Sequence, residues 1–284
     1  MIGITGANGN LGQLVIRDLL KIIPATQIVA AVRNPEKADN LHDVGVHVRE
    51  ADYDRLETLI EAFKGVEKLL LISAVQPGER FRQHRAVIDA AKRAGVKLIA
   101  YTSLLRADTS KLILAGEHLQ TEEYLKSSGM DFVLLRNGWY LENHTETLAS
   151  ALSQSAIKGS AGQGRFASAS RADYAGAAVT VLTQPGHAGK TYELAGDHAY
   201  SMSELAEEVS KEAGRQIVYD DLPPSDYEAM LLSFGLPKMI VDVVIDADVN
   251  SSKGELNSAS GDLSRLLGRN TTRLSEAVKA ALQI

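Results

Sequence analysis

The stretch "ITGANGNLGQLV", residues 4–15, constrains the fold more than any other part of the chain. Before it stands "MIGIT", a short strand-like run. After it, "LGQLVIRDLLKII" repeats apolar residues at helical spacing: Leu11, Leu14, Val15, Leu19 and Ile22. Glycines at 6, 9 and 12 between such a strand and helix have separate steric uses. Gly6 permits a tight turn, Gly9 lets a ligand approach the backbone, and Gly12 lets the helix pack close to the strand. The open helix N-terminus then offers N–H groups and a positive dipole end to an anion. In this context the turn predicts binding of a dinucleotide pyrophosphate. A glycine-rich turn without a ligand is the plainer alternative.

The rest of the first half alternates. "QIVAAV" and "VHVREAD" read as strands two and three, "LETLIEAFKG" as a helix closed by Gly65, and "EKLLLIS" as a strand buried on both faces. "HRAVIDAAKRAG" is a helix stopped at Gly95, "VKLIAYTS" strand five, residues 117–128 a helix and "DFVLLRN" strand six. This rhythm predicts an α/β fold: a Rossmann-type doubly wound parallel sheet with a smaller C-terminal α+β lobe. "TYELAG" reads as a further strand and "SMSELAEEVSKEAG" as a helix with a capping signal. We expect a nucleotide-binding domain over 1–195, with 145–170 contributing to the cleft. A smaller lobe over 196–284 is expected to cover the cleft's open edge.

A net charge of −6 favours neither nucleic acid nor an anionic membrane as partner. With no cysteine there is no disulfide, thiolate catalysis or Cys-type metal site, and we expect no metal. No signal-peptide pattern or membrane-length apolar run is visible, so a soluble cytoplasmic protein is the expectation.

Cofactor choice is read at the end of strand two. An NAD site usually carries an acid there to bond the ribose 2′-hydroxyl. Here Arg33 follows the strand, with Lys37 nearby. A guanidinium can bond a 2′-phosphate that an acid would repel, so NADPH is expected over NADH. A solvated surface arginine is the alternative. Asp52 is placed either to accept from the adenine amino group or to cap a helix.

By this point several segments carry a resemblance: "AAVRNPEKA", "LLLISA", "AYTSLL", "LLRNGWYLEN" and "SRADYAGAA". With the glycine turn, they resemble the NmrA-like branch of the atypical short-chain dehydrogenase/reductases, and within it the bacterial NADPH:quinone oxidoreductases of type 2. The resemblance runs nearly end to end. It implies pyrophosphate contacts along Gly6, Ala7, Asn8, Gly9, Asn10 and Leu11, and a 2′-phosphate contact at Arg33. It implies nicotinamide-side contacts at Ser73, Ala74 and Val75. A loop of Gly138, Trp139, Tyr140, Leu141, Glu142 and Asn143 would close over the nicotinamide, and Arg171 would point toward the same cleft. Trp139 and Tyr140 as core aromatics, and Arg171–Asp173 as a structural ion pair, are the plainer alternatives. A homodimer is compatible with the resemblance, since dimers are common in that superfamily.

"LILAGEHLQTEEYL", residues 112–125, departs from the superfamily. Standard members carry Tyr-x-x-x-Lys here, whereas this chain has Leu114 and His118; Thr102 and Ser103 do follow strand five. Hydride reduction of a simple ketone makes an alkoxide whose conjugate acid has a pKa of ~16, and a donor is needed. A quinone instead gives a phenolate-like anion, with a conjugate acid at about 10. The missing pair therefore suits a quinone substrate and direct hydride transfer, with no flavin signal visible. Tyr140 and Asn143 are expected to position the reactants, and His118 to donate a late proton because histidine titrates near neutrality. A helix-surface role for His118 is the alternative. Two other functions stay open: an NADP(H)-sensing regulator of NmrA type, and an isomerase-like reductase of activated double bonds.

Overall fold

The computed structural model describes residues 1–76 and 78–282. By its contacts the chain divides into two compact units. The first comprises Met1–Asp108, Gly116–Asn137 and Arg171–Glu193; the second comprises Thr109–Ala115, Gly138–Ser170 and the chain from Leu194 onward.

The first unit is organised by strands β1 (Ile2–Thr5), β2 (Ile28–Val32), β3 (His47–Glu50), β4 (Lys68–Leu71), β5 (Leu98–Leu104) and β6 (Asp131–Asn137). Their order is β3-β2-β1-β4-β5-β6, every neighbouring pair parallel. With β7 (Ala156–Gly159) lying outside this sheet, β8 (Thr191–Leu194) extends it beside β6. The β6–β8 register rises in step, Leu134 N–H to Lys190 O and Gly138 N–H to Leu194 O, so this pair is parallel as well. Every residue of β2 is buried, as are Leu69, Leu70 and Leu71 of β4, which explains the continuous apolar runs. Strand order reverses between β1 and β4. Beyond the carboxyl ends of those strands lies the place where open parallel sheets bind ligands.

Helices cover both faces. Asn10–Leu19 buries Leu11, Gly12, Val15, Ile16 and Leu19 and packs on the helix Arg171–Thr183. On the other face, Leu59, Phe63, Val87 and Ile88 join Leu69, Leu71 and Tyr101 in one core. The first helix is shorter than its apolar pattern predicts. It ends at Leu19, and Ile22 is 58% exposed. Pro24 disfavours helical backbone at Ile23, and Ile16 takes the expected inward place.

In the second unit β7 pairs in parallel with β9 (Val218–Asp221), a two-stranded sheet the sequence pattern did not predict. The helix Met202–Ala213 has the expected start: Ser201 Oγ accepts from Glu204 N–H at 3.2 Å, and Glu204 Oε2 accepts from Ser201 N–H at 2.7 Å. Among the described residues, no helix is long and apolar enough to cross a membrane.

Candidate functional site

The glycine turn has the shape its spacing predicts. Gly6 adopts φ +58°, in the left-handed region that favours glycine. A Cβ on Gly12 would lie 2.5 Å from Gly6 O and 2.7 Å from Ala7 Cα, so only glycine lets the helix seat there. Gly9 N–H bonds Gly6 O at 2.9 Å, and no side chain caps the helix it begins. The first-turn N–H groups, around Asn10 and Leu11, thus remain available to an anion. Asn8 Nδ2 donates to Lys37 O at 2.7 Å, strapping the segment after β2 onto this turn. Arg33, in that segment, is exposed and pairs with no carboxylate among the described residues. This cradle, with a free guanidinium at its rim, fits a phosphorylated dinucleotide. Asp52 caps no helix: Oδ1 accepts from Asp54 N–H at 3.0 Å and Oδ2 faces Arg55, forming a local turn.

The segment after β4 is pinned through its backbone. Ile72 N–H donates to Thr5 Oγ1 at 3.0 Å, Ser73 N–H to Thr102 Oγ1 at 2.8 Å and Ala74 N–H to His84 Nε2 at 2.8 Å. Val75 then projects its side chain, 88% exposed.

The helix Ala115–Ser127, which replaces the superfamily's acid helix, turns His118, Thr121 and Glu122 inward. His118 is 5% exposed, with Nδ1 2.7 Å from the Tyr101 hydroxyl. The alternative of a helix-surface histidine is therefore wrong, and so is the expectation that it titrates near neutrality. Burial, reinforced by the Arg80 charge, holds His118 well below the ordinary histidine range. Ser103 Oγ donates to Glu122 Oε1 at 2.6 Å, while Arg136 grips Glu122 with two bonds of 2.8 and 2.7 Å. Arg136 also reaches Glu193 at 2.8 Å and Asp108 at 3.0 Å. Thr102 and Ser103, expected to follow the fifth strand, lie within β5; the Ser103 hydroxyl is committed to Glu122, and Thr102 Oγ1 accepts from Ser73 N–H. Arg171 is half-buried at the start of its helix.

In the second unit, the loop from Gly138 to Asn143 is held to the segment at 169. Leu141 N–H donates to Ala169 O at 3.0 Å and Ala169 N–H to Trp139 O at 3.2 Å. Leu141 is buried; Trp139, Tyr140, Glu142 and Asn143 are half-buried. His144, which the sequence pattern did not single out, places Nδ1 2.8 Å from the Tyr200 hydroxyl, and burial lowers its pKa to about 4. The structure thus gathers Gly6–Leu11, Arg33, Ser73–Val75, His118 and Arg171 in the first unit and Gly138–Asn143 in the second.

The NAD(P)H-binding family model matches residues 6–185, more than half of the chain. The chain belongs to the NAD(P)H-binding family. Within the family, quinone oxidoreductase 2 of Escherichia coli (strain K12) is 53% identical over 98% of this chain and 97% of its own length. The solved structure of NADPH-dependent quinone oxidoreductase from Escherichia coli, complexed with NADPH, superposes with a TM-score of 0.96 over 99% of both chains. Triphenylmethane reductase of Citrobacter sp., complexed with NADP(H), is 40% identical, with a TM-score of 0.95 over 99% of this chain and all of that one. An NmrA-like oxidoreductase of Aspergillus flavus is 28% identical over 98% of this chain and 94% of its own.

Proposed function

We propose that the chain is an NADPH-dependent quinone oxidoreductase. NADPH, when bound, supplies a hydride that the quinone accepts directly, and a proton from water completes the hydroquinone. One observation carries this reading beyond the likeness to known reductases. The groups nearest the place of the missing acid are held for other purposes: His118 is buried against the Tyr101 hydroxyl, Ser103 donates to Glu122, and Thr102 Oγ1 accepts from Ser73 N–H. Such a site suits an acceptor whose reduced form is a stabilised anion, and catalysis rests on positioning. The 53% identity over nearly the full length favours this enzyme over a regulatory protein of NmrA type.

In this reading Gly6–Leu11 hold the pyrophosphate at the helix N-terminus and Arg33 pairs with the 2′-phosphate. Ser73, Ala74 and the exposed apolar Val75 face the nicotinamide. We assign the first unit to the cofactor. Gly138–Asn143 we assign to the nicotinamide, with Tyr140 and Asn143 as positioning groups, and the stretch 145–170 to the cleft. Arg171 belongs with the cofactor contacts. A homodimer and a cytoplasmic location complete the proposal; light scattering against the 30.6 kDa monomer mass and cell fractionation read them.

Triarylmethyl cations also accept hydride without a proton, and the likeness to a triphenylmethane reductase favours them as a second acceptor class. The test is NADPH consumption by flavin-free protein with benzoquinone, a cationic triarylmethane dye and a simple ketone. Turnover with the first two and none with the ketone is expected. Turnover only after adding FMN or FAD, or equal turnover of the ketone, overturns the proposal. Nucleotide binding with no turnover at all returns the regulatory reading.

A further inference from the structure

We infer that His84 is a positioning residue for hydride transfer: it fixes the Ala74 peptide, and Arg80 and Glu117 fix the same segment from its other end. The inference rests on the reading that Ser73–Val75 face the nicotinamide. Its geometry lies wholly within the first unit.

The hydrogen bonds assign one state to His84. Ala74 N–H donates to Nε2 at 2.8 Å, so Nε2 carries no proton. Nδ1 therefore carries it, and donates to Thr121 Oγ1 at 3.1 Å. The Thr121 hydroxyl in turn donates to Glu117 O at 2.8 Å. The opposite side of the segment is tied just as fully. Arg80 Nε donates to Ala74 O at 2.8 Å, and Glu117 Oε2 accepts from both Arg80 Nη1 and Gly78 N–H at 3.1 Å. Side chains of the helix Arg80–Arg93 thus hold both the N–H and the carbonyl of Ala74.

These anchors are costly to bury. His84 is fully buried and Arg80 is 4% exposed. A need for stability alone would be met as well by apolar packing. What apolar packing lacks is a directed acceptor and a directed donor on a single peptide. Burial and the neighbouring Arg80 charge push the His84 pKa down to about 3, so the acceptor persists at any physiological pH. Protonated, the ring would aim an N–H at the Ala74 N–H. The helix that carries a proton donor in related enzymes here supplies Glu117 and Thr121 to this framework, a change from proton transfer to positioning.

Two isosteric changes separate the roles. His84→Asn keeps a donor near the Nδ1 position and removes the acceptor for Ala74; His84→Gln extends an acceptor to the Nε2 position. With NADPH and benzoquinone, His84→Asn is expected to lower kcat by about 10–100-fold, the scale of a misplaced reacting group. Its Kd for NADPH, from nucleotide fluorescence, should move by less than about threefold, because the phosphates are held by other residues. His84→Gln should return kcat to within about threefold of the unaltered protein, since it restores the acceptor. Glu117→Ala, which releases Gly78, should show the same split of kcat from Kd and serves if His84→Asn fails to fold.

Equal kcat for folded His84→Asn and the unaltered protein overturns the inference. So does a His84→Gln as slow as His84→Asn, or a Kd that weakens as much as kcat falls. Unfolding of both His84→Asn and Glu117→Ala would assign the framework to stability and overturn it too. If the unaltered protein consumes no NADPH with any quinone, the fault lies in the functional reading instead.

Discussion

Arg33 stands at the end of β2, exposed and with no carboxylate partner among the described residues. Its charge is therefore available to a 2′-phosphate. Replacing it by alanine should raise KM for NADPH by about 30-fold, the equivalent of about 2 kcal/mol for a charge-assisted pair. KM for NADH should stay within about threefold; equal effects on both nucleotides would remove the 2′-phosphate from the account. His118 gives the opposite expectation. Its imidazole is buried and neutral against Tyr101, so it has no proton to give near neutrality. His118→Ala should lower kcat by less than the ~10²-fold lower bound of general acid catalysis. The shape of the kcat–pH profile from pH 5 to 8 should be unchanged, and Tyr140 or Asn143 variants should lose at least as much kcat/KM. Loss of a pH-dependent limb, or of all turnover, in His118→Ala alone would show that an acid operates after all.

At the scale of elements, the helix Ala115–Ser127 turns a fully buried carboxylate, Glu122, toward β5 and β6. Arg136 from β6 neutralises it with two parallel bonds and then spans to Glu193. Removing one member strands the other in a medium where an ion is poorly solvated. Arg136→Met should cost about 3–5 kcal/mol in urea unfolding. The double change Arg136→Met with Glu122→Leu should recover most of that loss, because the two buried charges then leave together and the carboxylates that remain, Glu193 and Asp108, reach solvent. A double variant as unstable as the single would mean the network does more than satisfy itself.

For the molecule as a whole, the buried histidines set how it responds to acid. His84 and His118 are neutral in the folded state and protonate only far below 6.5, whereas the unfolded chain takes up protons near 6.5. Their contribution is complete above pH 6.5 and is lost as pH falls toward the folded values, at up to about 1.4 kcal/mol per pH unit for each. His144 adds in the same direction. Asp248 opposes them: burial raises its pKa to about 6, so the folded state gains that proton first. One opposing group against three leaves a net loss. The melting temperature should fall between pH 7.5 and pH 5.0, and a flat or rising Tm across that interval would contradict this account.

The local pattern determined the parts that depend on neighbours in the chain. The glycine turn, the buried parallel strands, the Ser201–Glu204 cap and the basic end of β2 were legible because spacing and sterics alone define them. The absent Tyr–Lys pair was legible too. What took its place was not. Ala74 meets His84 across 10 residues, His84 meets Thr121 across 37, and Glu122 meets Arg136 across 14. Such partners leave no periodic signal in the sequence. They become neighbours only when helices pack on the sheet. Burial then decides which groups stay neutral, which pair as ions, and which are left free to meet a ligand.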